Sequence, residues 1–163
     1  GLLAGISLDT KNFAFKTGVR TFEAASYLKK SGADTIEVKK LFNSDIKDFI
    51  TKAEIIQNAK VINNNICLAY TKTETDNINI VIAQAADELL NIKEVEASFV
   101  LARKDDRVFI SARSLGNINV HVLMENLGGG GHRDMAGAQL DTSLEKAYEM
   151  VKDTIQTYIK EEE

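Results

Sequence analysis

The sequence of 163 residues has no proline, one cysteine and no apolar run near the roughly 18 residues that a membrane-spanning helix requires. A lone Cys67 makes neither an internal disulfide nor a zinc centre, so nothing staples this chain. Its setting in Ile66-Cys67-Leu68-Ala69-Tyr70 reads as a buried strand in a reducing compartment. The absence of proline is unusual and identifies no fold. Surplus positive charge is missing too: 20 Lys and Arg against 24 Asp and Glu leave a net charge of −4. That balance excludes a general nucleic-acid coat and long duplex partners, because such binding draws on many Lys and Arg contacts to phosphate. A small anion in a local basic pocket stays open. The chain also opens on Gly1 instead of Met and enters Leu2-Leu3-Ala4-Gly5-Ile6 with no charged lead-in and too few apolar residues for a signal peptide. The expectation is a piece of a longer protein.

With 44% hydrophobic and 27% charged residues, the chain has the composition of an ordinary globular protein able to bury a core. Its most informative stretch is Leu127-Gly128-Gly129-Gly130-Gly131-His132. Glycines can turn several backbone N–H groups toward one anion at little steric cost, and the imidazole that follows can add a charged hydrogen bond. A flexible linker would account for the glycines alone. It would not account for Val122, Leu123, Met124 and Leu127 before them or Met135, Ala136 and Ala138 after them. The stretch therefore reads as a phosphate cradle in a loop.

Along the chain, helices are predicted over 2–8, from about Thr21 to a stop at Ser31-Gly32, and over 34–42. Ser44 is the expected cap of a longer helix with Ile46, Phe49, Ile50, Ala53, Ile56 and Val61 near 3.6-residue spacing, ended by Asn63-Asn64-Asn65. After it the pattern becomes strand (66–70), helix capped by Asp76 (76–92), and a hairpin of strands 96–103 and 108–113 around Lys104-Asp105-Asp106-Arg107. A helix over 120–127 runs into the glycines, a short strand over 137–140 follows, and Thr142-Ser143-Leu144-Glu145 reads as a capping box for a last helix. Leu144, Tyr148, Val151, Ile155 and Tyr158 give that helix one buried stripe. The fold class is α/β, a mixed sheet with helices on it.

Four segments together carry a resemblance: Leu3-Ala4-Gly5-Ile6-Ser7-Leu8-Asp9-Thr10-Lys11-Asn12-Phe13, Thr17-Gly18-Val19-Arg20-Thr21, Ser111-Ala112-Arg113-Ser114 and Gly128 to His132. The chain resembles the DHH phosphoesterase superfamily, in particular its cyclic-di-AMP phosphodiesterase branch. The resemblance implies three parts: 1–43 as the end of the DHH catalytic domain, 44–60 as a connector helix, and 61–163 as the DHH-associated substrate-binding domain. It implies hydrolysis of cyclic di-AMP to linear pApA at a site of two manganese ions, where metal activates water and stabilises charge developing on phosphorus. Asp9 matches one metal ligand, and carboxylate oxygen suits manganese. The other ligands and the Asp-His-His triplet are not in this sequence, since neither His121 nor His132 sits in such a triplet. The fragment alone is expected to be inactive.

By the same resemblance Ser111, Arg113, Gly129, Gly130, Gly131 and His132 bind substrate phosphate and nucleotide. On sequence alone, Asp9 also reads as a helix-end cap, Arg113 as a solvated strand-end residue, and His132 as a structural donor closing its loop. Arg133 is expected either to add charge to the cleft or to pair with Asp134. The implied partners are cyclic di-AMP or a linear adenine dinucleotide, with short RNA as a further substrate class and a homodimeric parent. The implied place is a cytoplasmic domain of a membrane-anchored parent. Two other functions fit the pattern: part of a short-oligoribonucleotide or phosphoadenosine-phosphate hydrolase, and a non-catalytic nucleotide-binding module.

Overall fold

The computed structural model describes residues 1–10, 13, 17–40, 45–63 and 65–162. They fall into two compact units, Gly1–Ser44 and Asp45–Glu163. The first holds α1 (Leu2–Asp9), α2 (Val19–Lys30) and α3 (Thr35–Lys40). Ser31 closes α2 and Gly32 follows at φ +92°, a left-handed turn that a residue without Cβ adopts freely. This unit buries little: among its described residues only Leu3 and Thr10 are buried, and α2 buries none. Leu41 and Phe42, the expected end of its last helix, lie outside the described residues, as do Lys11 and Asn12.

The second unit begins with α4 (Ile46–Gln57). Its cap is Asp45, whose side chain accepts from the Lys47 N–H at 3.1 Å; Ser44, the expected cap, lies outside the described residues. The helix turns Asp48, Thr51 and Ile55 inward and leaves Ile46, Phe49 and Ile50 exposed, so its apolar spacing does not mark the buried side. Buried Asp48 is answered by the Asn77 amide, which donates to it at 2.9 Å. α4 also stops sooner than its apolar spacing predicts. Val61 belongs to a strand, because the chain leaves the helix at Asn58 and reverses through Asn63 at φ +49°.

Six strands follow: β1 (Lys60–Ile62), β2 (Ile66–Thr71), β3 (Ala97–Lys104), β4 (Arg107–Ser114), β5 (Gly130–His132) and β6 (Met135–Leu140), in the order β1-β2-β3-β4-β6-β5. β2 and β3 are parallel, joined by the crossover helix α5 (Ile78–Leu89); every other pair is antiparallel. The mixed α/β sheet expected from the sequence is what forms. β3 and β4 make the expected hairpin, with Asp105 at φ +54° in its tight turn. Asn77 precedes α5 in place of the expected Asp76 and makes no side-chain cap.

Strand alternation sends the two sets of apolar residues to opposite faces. On one face Leu68, Phe99, Leu101, Ile110, Ala136 and Ala138 pack under α6 (Val120–Glu125) and α7 (Leu144–Glu162). On the other, Cys67, Ala69, Val100 and Ala102 pack under α4 and α5 through Ile55, Val81, Ala85 and Leu89. Burial pushes the Cys67 thiol up. α7 starts from Ser143, whose hydroxyl accepts from the Lys146 N–H at 3.2 Å, so Ser143 is the cap in place of Thr142 and the cap is one-sided, with no reciprocal box among the described residues. Glu145 instead reaches Lys72 at 3.2 Å.

Candidate functional site

In the register of the sheet, Arg113 on β4 faces Met135 on β6, and Met135 faces His132 on β5. Two residues along, Ser111 faces Gly137 and Gly137 faces Gly130. Facing residues of an antiparallel ladder, and residues two apart on one strand, share a side. Ser111, Arg113, Met135, His132 and both glycines therefore lie on one side of the sheet, the side on which α5 covers Val100, the partner of Ser111. Beyond β4 the cover stops. His132 is exposed, Met135 is 42% exposed, and Gly130 and Gly137 add no side chain, so the surface is a shallow platform with a bare backbone floor.

Arg113 stands where α5 ends its cover. Its Nε donates to Asp87 Oδ1 of α5 at 3.1 Å, and its Nη1 donates to Ser111 Oγ at 3.0 Å and to the Ala112 carbonyl at 2.9 Å. Its side chain is only 11% exposed, so it is not the solvated strand-end residue that the sequence also allows. These bonds fix the guanidinium plane and leave Nη2 as the part without a hydrogen bond among the described residues. A held guanidinium loses little freedom when an anion meets its remaining N–H groups. The ring of His132 makes no hydrogen bond among the described residues, so it closes no loop.

The glycine run does not form the expected loop. Gly128 turns at φ +77°, and the N–H groups of Gly128 and Gly129 return to the carbonyls of Glu125 at 2.9 Å and Met124 at 2.8 Å, the paired bonds that close a helix C-terminus. Two of the N–H groups expected to cradle an anion are thus spent on α6, and the next residues become the edge strand β5. On the helix-covered face, a Cβ at Gly129 would collide with the Gly137 carbonyl and Ala138, and one at Gly131, where φ is +149°, would come within 2.5 Å of Ala136. Gly130 points the other way and a Cβ there would meet nothing. The fold requires glycine at 128, 129 and 131; at 130 it merely leaves the platform open.

The turn between β5 and β6 is tied down from outside. Ser114 N–H donates to the Asp134 carbonyl at 2.9 Å and Val120 N–H to the Arg133 carbonyl at 3.1 Å. Arg133 neither joins the platform nor pairs with Asp134; its Nε donates to the Gly116 carbonyl at 3.0 Å. Sequence reading missed Asp87, Met135 and Gly137. The partner of Arg113 lies 26 residues away on another element, a separation that no local spacing reveals.

Asp9 ends α1, exposed, in the other unit. Among the described residues no group of three or more His, Cys, Asp or Glu side chains could hold a metal. One carboxylate does not make a site for two manganese ions, so the described residues do not complete such a centre and no chemical step is assigned to it. No helix of the described residues is long and apolar enough to cross a membrane. A cavity of about 280 Å³ lies at the opposite edge of the sheet, lined by Lys60, Tyr70, Tyr148 and Glu149 among others, and contains no residue of the platform.

The DHHA1 domain family matches residues 63–161. The chain is 46% identical over 163 residues to the cyclic-di-AMP phosphodiesterase GdpP of Bacillus subtilis (strain 168), covering 98% of this chain and 25% of that protein. It is 42% identical over 163 residues to the cyclic-di-AMP phosphodiesterase PdeA of Listeria monocytogenes, covering 99% of this chain and 25% of that protein. The chain thus spans about a quarter of the length of these relatives. An exopolyphosphatase-related protein from Bacteroides fragilis shares the fold with a TM-score of 0.82 at 21% identity, over 94% of this chain and 48% of that one.

Proposed function

This chain belongs to the DHHA1 domain family, and from that premise we propose that it is the substrate-gripping C-terminal part of a cyclic-di-AMP phosphodiesterase. Cyclic di-AMP, or the linear product pApA, lies on the platform with its phosphate toward Ser111, Arg113 and His132 and its sugar-phosphate backbone over Gly129, Gly130 and Gly131. Asp9 serves as one ligand of a manganese site whose other ligands come from chain beyond these residues. The parent enzyme is a membrane-anchored homodimer with this part in the cytoplasm, and short RNA is a secondary ligand.

One observation carries the reading: Ser111 and a pre-held Arg113, at the margin of the α5 cover, lie on the same side of the sheet as exposed His132, with the bare glycine backbone of Gly137 and Gly130 beside the row. Anions are gripped well by charged donors fixed before binding, because little ordering remains to be done. The test is calorimetric titration of the chain with cyclic di-AMP, pApA and a linear RNA trinucleotide, beside His132→Ala and a turnover assay with added manganese. Saturable binding of the adenine dinucleotides, weakened in His132→Ala and without turnover, is expected. Tighter binding of the trinucleotide would move the chain to the oligoribonucleotide hydrolases, and binding of none would refute the platform.

A further inference from the structure

Met135 occupies the middle of the row Arg113, Met135, His132. Neighbouring strands lie about 4.8 Å apart, so the backbones of Arg113 and His132 are separated by roughly 10 Å, with the thioether between them. Elsewhere on this face the apolar side chains of β2 and β3 are buried under α4 and α5, yet Met135 remains 42% exposed. Beside it the row Ser111, Gly137, Gly130 drops by the depth of a side chain, because two of its three members have none. The result is a step: flat peptide planes on one side, a flexible, polarisable side chain on the other, and hydrogen-bonding groups at both ends.

We propose that Met135 is the nucleobase contact of this platform, a specificity-determining residue that favours a nucleotide over a bare phosphate or sugar phosphate. The inference rests on the reading of the platform as a phosphate site and adds what lies beside the phosphate. A planar aromatic base fits the glycine floor, where no Cβ intrudes, and sets its ring against the Met135 thioether, a favourable sulfur–aromatic contact. No hydrogen-bond donor or acceptor at 135 reads the edge of the base. Met135 therefore selects for an aromatic ring and discriminates little between adenine and guanine.

The experiment compares wild type, Met135→Ala and Met135→Leu by calorimetric titration of the whole chain with pApA and with an otherwise identical dinucleotide lacking both bases. Met135→Ala should bind pApA roughly three- to tenfold more weakly, bind the base-free probe as wild type does, and keep its melting temperature. Met135→Leu, which keeps the apolar bulk and loses the sulfur, should recover only part of the pApA affinity. An unchanged pApA affinity in Met135→Ala overturns the proposal while leaving the platform standing, as does an equal loss for both probes. If wild type binds neither probe, the phosphate reading fails and this inference falls with it.

Discussion

On one face of the sheet α6 and α7 cover Phe99, Leu101, Ile110, Ala136 and Ala138, from β3 out to β6, whereas on the other face α4 and α5 leave β6 and β5 bare. The same two strands thus serve a sealed surface and an open one. The glycines of β5 divide accordingly. Gly131, turned to the sealed side, is fixed by packing and backbone conformation, while Gly130, turned to the open side, meets no neighbour that forbids a larger residue. A glycine required by its neighbours indicates fold, whereas Gly130, which nothing requires, leaves the backbone of the open face bare.

The largest effect that would sharpen this contrast lies on the sealed face. Phe99 is fully buried, and Phe99→Ala should cost about 3–5 kcal/mol of stability in urea unfolding. A cost below about 1 kcal/mol would mean that this face is not the main core. Next come the paired glycines. Gly131→Ala should lose about 1–3 kcal/mol, since its Cβ strikes Ala136 and its φ disfavours any side chain. Gly130→Ala should unfold within about 0.5 kcal/mol of wild type and yet bind cyclic di-AMP more weakly. Equal destabilisation by both would break the division between faces.

Arg113→Ala should weaken dinucleotide binding by about 1.5–3 kcal/mol, the range for a hydrogen bond to a charged group, as read by calorimetry. Unchanged affinity would remove Arg113 from the site and leave it as the partner of Asp87. The smallest effect concerns Glu145, far from the platform. Backbone hydrogen bonding first, then the Lys72 ammonium, hold its carboxyl below the usual range. Because the folded value is depressed, its contribution to stability is present above the unfolded carboxylate value and is lost as pH falls through the folded one. Glu145→Gln should leave stability at pH 7 little changed and flatten this small acid-side dependence in thermal melts taken between pH 3 and pH 6; an unaltered profile would show the ion pair to be idle.

The sequence announced its long, regular elements clearly. Ile66 to Tyr70 could be read as a strand because it is short, apolar and bounded by turn residues, and the β3–β4 hairpin because alternation flanks a charged turn. The two edge strands were invisible for opposite reasons. In β1, Val61 continues the helical spacing of α4, so its three residues carry the pattern of a helix. In β5, glycine carries no polarity pattern at all. The site followed the same logic: Ser111, Arg113 and His132 stood out as chemical types, whereas Asp87 acquires meaning only when α5 crosses the sheet and brings it to Arg113. Met135 looked like one more apolar residue until the register placed it between two polar ones.

Both edges of the sheet, β1 and β5, are three residues long, while the strands between them run six to eight. An exposed strand edge is a template on which another chain can add itself, and brevity is a protection against it. At β5 composition adds to that protection: two glycines and a histidine leave an intruding strand few side chains to pack against. The same side-chain-poor strand that bares this face thus also makes the edge of the sheet a poor template for growth.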